Sequence, residues 1–90
     1  MPVGPNIYES EHLANVELQV ALSKLRMVEN LAVEVINHLT EAKESRGLMD
    51  KEEADCKTEL ARVKVIRDAT RQAIKGTVDV LVSLSDRMGV

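Results

Sequence analysis

Two histidines and one cysteine, with a run of basic side chains, are the residues whose types could do chemistry. His38 lies in "EVINHLTE", with Glu34 one helical turn before it and Glu41 nearly one turn after. A carboxylate beside an imidazole can ligate a metal or pass a proton. On a helix the same spacing also makes a solvated edge with a local ion pair, which is the commoner outcome. Glu9 and His12 in "ESEH" have the E-x-x-H spacing of di-iron helical bundles. Such a centre needs further inward carboxylates, and the second half of the chain holds no histidine and only Glu59 near its apolar side. Neither constellation is complete, so no catalytic, metal-binding or cofactor-binding residue is assigned.

Cys56 is alone, which excludes an internal disulfide and fits a small buried side chain better than a nucleophile, since Lys57 is its only basic neighbour. Arg62, Lys64, Arg67, Arg71 and Lys75 form one basic patch. Five cations less Asp68 give this segment +4, so a chain of net charge -3 carries -7 elsewhere. An acidic helix or partner is the expected counterpart; nucleic acid is the minor alternative, because no recognition motif accompanies the charge.

The elements that must position these groups are helical. Apolar residues make up 44% of the chain and Tyr8 is its only aromatic, a composition suited to helix packing and without a platform for stacking bases. No apolar run reaches the length of a membrane span. "MPVGPNIYES" lacks the basic start and apolar core of a secretory signal, so a cytoplasmic location is expected.

Prolines and Gly4 make residues 1–6 an irregular arm, and Asn6 with Glu9 offers a capping-box spacing, with Ser10 as the fallback start. A first helix is expected over 7–46. Leu18, Ala21, Leu25, Val28, Ala32, Val35 and Leu39 lie in one stripe along it, widened by Leu13, Val20, Met27 and Leu31 on one side and by Leu22, Val33 and Ile36 on the other. That arc exceeds the roughly 100° a single neighbour covers, so at least two neighbours are expected.

Gly47, after Lys43 and Arg46, has the composition of a left-handed helix stop, and Asp50 with Glu52 and Glu53 that of a capped helix start. Residues 47–50 are therefore read as the turn of an antiparallel hairpin, with Leu48 or Met49 packing back over it. A second helix is expected over 51–88. Its inner stripe is Val63, Ile66, Thr70, Ala73, Thr77, Leu81, Leu84 and Met88, flanked by Leu60, Ile74 and Val78, with Gly76 a point of kinking or of close helix approach.

Two resemblances accompany this reading. "NLAVEVINHLTEAKESRGLMDKEEADCKTELARV" superficially resembles the helix-turn-helix of the all-helical chorismate mutases. That resemblance implies inward basic side chains holding a dicarboxylate. Leu39 stands where the lysine would fall, and the activity is not expected. "DCKTELARVKVIRDATRQAIKGTVDVLVSL" looks like the C-terminal helical hairpin of acyl-CoA dehydrogenases, which implies a segment that supplies bundle packing to a larger enzyme.

The fold expected is all-α, a two-helix hairpin of coiled-coil character that dimerises into a four-helix bundle. Its oligomer interface is expected to use Leu18, Leu25, Val28, Ala32, Val35, Leu39, Val63, Ile66, Ala73, Leu81 and Leu84. The function expected is a non-enzymatic interaction or structural module, homodimeric, without cofactor and with a further protein partner. The alternative is an accessory subunit or detached bundle segment of a helical enzyme.

Overall fold

A computed structural model describes residues 7–89, with Ile7 and Tyr8 as backbone alone. The irregular arm expected over 1–6 and the Asn6 cap lie outside the described residues. Two helices, α1 (Ile7–Glu44) and α2 (Asp50–Met88), run antiparallel as a hairpin measuring 71 × 25 × 14 Å. No strand occurs among the described residues.

The helices meet along one seam whose spacing alternates four and three in both sequences. On α1 it runs through Glu11, Asn15, Leu18, Leu22, Leu25, Glu29, Ala32, Ile36, Leu39 and Lys43, all buried or half-buried. On α2 it runs through Cys56, Leu60, Val63, Arg67, Thr70, Ile74, Thr77, Leu81, Leu84 and Met88, likewise covered. This alternation keeps one row facing one neighbour over the length of a helix. The expected stripe is therefore displaced by one residue at alternate positions. Leu22, Glu29 and Ile36 enter the seam where Ala21, Val28 and Val35 were expected, and Arg67 and Ile74 replace Ile66 and Ala73.

Several polar groups in and beside the seam are matched. The Arg71 Nε donates to Glu29 Oε2 at 2.7 Å, and Arg87 Nε lies 3.5 Å from Glu11 Oε1. Buried Thr70 donates its hydroxyl to the Ile66 carbonyl at 2.7 Å, as Thr77 does to Ala73. Bonding back onto the preceding turn satisfies a buried hydroxyl without a cross-helix partner. Both cross-helix pairs border the seam, each between an arginine at least half exposed and a more covered carboxylate, where such pairs contribute little.

The turn is built differently from the expectation. Gly47 does not take a left-handed conformation; among the described residues only Gly89 has positive φ, at 74°. There Gly89 closes α2, its N–H directed to the Ser85 and Asp86 carbonyls. The N-cap of α2 is Met49 rather than Asp50, and its N–H donates to Glu52 Oε1 at 3.0 Å. Asp50, Glu52 and Glu53 occupy the first turn, where negative charge opposes the helix dipole. Leu48 is half-buried under the turn and Met49 is exposed. A Cβ added at Gly47 would meet only Ser45 Oγ, at 3.8 Å. Gly47→Ala is accordingly expected to raise stability by about 0.4–1 kcal/mol, while Glu52→Ala lowers it by about 0.5–1 kcal/mol. Thermal unfolding of the two variants checks both signs.

α2 continues unbroken through Gly76, and nothing lies within 4 Å of a Cβ built there. The core is thin. Its buried apolar side chains are Leu22, Ala32, Ile36, Leu60, Leu81 and Leu84, and no side chain among the described residues is wholly enclosed.

Candidate interaction surface

Once the seam is assigned, a second apolar row becomes visible beside it on each helix. On α1 the row repeats every seven residues as Ala14, Ala21, Val28, Val35 and Ala42, and on α2 as Glu59, Ile66, Ala73, Val80 and Arg87. Two grooves show that both rows lie on the same edge of the hairpin. One, of about 260 Å³, is lined by Val28, Leu31, Ala32, Val35, Val63 and Ile66. The other, of about 370 Å³, brings Ala14 of α1 to Val80 and Arg87 of α2 near the open end. Exposure along this edge is high for such side chains: Val28 44%, Val35 43%, Ile66 52% and Val80 51%.

The opposite edge is different in kind. Gln19 and Arg26 of α1 and Lys57, Lys64 and Arg71 of α2 lie there, all exposed, and the same rows continue into half-buried Val33 and Val78. One edge of the hairpin thus carries exposed apolar surface and the other mostly polar and charged side chains. The outward side of α1 adds a third apolar strip, Leu13, Val16, Val20, Met27 and Leu31, all exposed.

The residues expected at an oligomer interface divide between two places. Leu18, Leu25, Ala32, Leu39, Val63, Leu81 and Leu84 lie in the seam within the hairpin. Val28, Val35, Ile66 and Ala73 lie on the exposed edge. Ala21 and Val80 complete that edge and were not singled out for it. Their signal was the seven-residue recurrence beside the seam, which can be read only after the seam itself is placed.

The groups considered for chemistry are dispersed. His12 and His38 are exposed, and no three His, Cys, Asp or Glu side chains among the described residues are grouped to hold a metal. Cys56 is a half-buried free thiol at the turn end of the seam. In the basic patch, Arg62 pairs with Glu59 at 2.6 Å, Arg67 with Asp68 at 3.0 Å and Arg71 with Glu29 at 2.7 Å. Three of the five cations therefore already face carboxylates of this chain. No described helix is long and apolar enough to cross a membrane.

Fold and surface together define a two-helix hairpin with one uncovered apolar edge. No protein-family model, curated protein or solved structure matches the chain.

Proposed function

We propose that this chain is a non-enzymatic interaction module that self-associates through its apolar edge into a four-helix bundle. The observation that carries the reading is the apolar row beside the seam on both helices. In a two-stranded coiled coil the positions flanking the seam are charged. In helices that face a bundle core, one flanking position is apolar as well. Here Ala21, Val28, Val35, Ile66, Ala73 and Val80 follow the second pattern on one edge only.

Surface area supports the same reading. A folded monomer of 10.0 kDa exposes about 5,200 Å², whereas this chain exposes 6969 Å². The radius of gyration, 20.3 Å, is well above the roughly 12 Å of a compact domain of this length.

With that edge covered by a second copy, Leu13, Val20 and Met27 stay on the outside of α1, and they are the surface offered to a further protein partner. Sedimentation equilibrium at micromolar concentration is the test. A dimer with the helix content of the hairpin is the expected result, and a well-folded monomer would overturn the reading.

A further inference from the structure

We propose that the second copy docks with its turn at the opposite end of the bundle, so that α1 packs on α1 of the partner subunit and α2 on α2. This rests on the self-association reading and adds to it an orientation and a crossing point, at Val28 and Ala73.

Two hairpins stacked edge to edge have two twofold arrangements. An axis along the bundle sets α1 beside α2 of the partner subunit, with both turns at one end. An axis across the bundle sets each helix antiparallel to its own copy, with the turns at opposite ends. In the second arrangement every row meets itself reversed, so the sequence of the row must be compatible with its own reverse.

Both edge rows satisfy that condition. Reversed about Val28, the α1 row sets Ala14 against Ala42 of the partner subunit and Ala21 against Val35 of the partner subunit. Reversed about Ala73, the α2 row sets Ile66 against Val80 of the partner subunit and Glu59 against Arg87 of the partner subunit. On α1 alanine meets alanine at the ends of the row, alanine meets valine inside it and valine meets valine at its centre; on α2 the branched Ile66 and Val80 meet, and the two charges that end the row become opposite pairs. The arrangement with both turns at one end instead sets Arg87 against Ala14 of the partner subunit and Glu59 against Ala42 of the partner subunit. Each charge would then face a methyl group.

The two centres also stand at nearly the same height. The Glu29–Arg71 hydrogen bond of 2.7 Å and the Glu11–Arg87 contact of 3.5 Å set Val28 beside the stretch around residues 70–72, so the two centres lie within about one helical turn of a common axis.

The present partner of Glu59 does not oppose the exchange: Glu59 pairs with Arg62 and both side chains are half or more exposed, where such pairs contribute little. Arg87, 68% exposed, now pairs with the more covered Glu11 and lies at the rim, within reach of both carboxylates.

Cysteine cross-linking tests the orientation. In a Cys56→Ser background, Val28→Cys and Ala73→Cys are each expected to form a covalent dimer with oxidised glutathione, because each position lies near the axis facing its own copy. Val65→Cys, on the outward side of α2, controls for chance collision and should remain uncrosslinked. If the protein sediments as a dimer but only a mixture of Val28→Cys and Ala73→Cys chains cross-links, the orientation is overturned and self-association stands. If the chain sediments as a monomer, both fall. Charge reversal provides the second measurement. Glu59→Arg should weaken dimerisation roughly tenfold, and adding Arg87→Glu in the same chain should restore most of it. An unchanged dissociation constant in Glu59→Arg would contradict the pairing.

Discussion

Val28→Glu combined with Val35→Glu is expected to turn the dimer into a helical monomer. Both valines are exposed in the hairpin, so neither substitution removes a contact of the seam, and circular dichroism of the single hairpin should retain its helical signal. In the dimer each change occurs twice, and four valines leave the interface. Burying one valine contributes about 1.5–3 kcal/mol when the burial is complete, and a carboxylate there adds a desolvation cost. The dissociation constant should rise by roughly a hundredfold or more, corresponding to about 3 kcal/mol. Sedimentation equilibrium of the variant beside the parent measures this directly. An unchanged dimer would place the interface elsewhere, with the outer strip at Leu13, Val20 and Met27 the next surface to test.

Leu81→Glu should act on the hairpin itself. Leu81 is 8% exposed and belongs to the seam near the open end, where it is one of six buried apolar side chains. A carboxylate there loses the leucine's burial and enters a site without a cationic partner, at a cost of about 4 kcal/mol or more. A thin two-helix core has little margin against such a loss. The expected result is a low-temperature, non-cooperative melt with reduced helix content at 25 °C. Lys64→Glu, on the charged edge and exposed, should stay within about 0.5 kcal/mol of the parent. The contrast between the two variants separates seam from surface. If Leu81→Glu melted like the parent, the seam would have to be redrawn.

Self-association also bears on how the hairpin is stabilised. No side chain among the described residues is wholly enclosed, and the two helices form a single layer 14 Å thick in its smallest Cα dimension. If the edge is covered by a second copy, folding and dimerisation are linked and the melting temperature rises with protein concentration. In the edge-substituted monomer that concentration dependence should disappear.

Two long amphipathic helices were legible in the sequence because their signals are local. Apolar recurrence at three and four residues without an interrupting proline, a cationic stretch ending at Gly47 and an acidic run from Asp50 all act within a few residues of where they stand. The excess width of the apolar arc on α1 was legible for the same reason. Which row becomes the seam is a different kind of question. Two rows flank Leu18, Leu25, Ala32 and Leu39 on α1. One holds Ala21, Val28 and Val35, and the other holds Leu22, Glu29 and Ile36. Hydropathy favours the first, because the second contains a carboxylate. The structure places the second inside: it seats Leu22 and Ile36 in the core, and Glu29 at its border pairs with Arg71 forty-two residues away. A local pattern carries no information about that distant arginine. The conformation of Gly47 has a similar origin: its composition suits a left-handed stop, but the connection from Glu44 to Asp50 is set by where the two packed helices end. Sequence periodicity determined how much apolar surface each helix carries, and tertiary packing decided which part of it the hairpin covers and which part it leaves exposed.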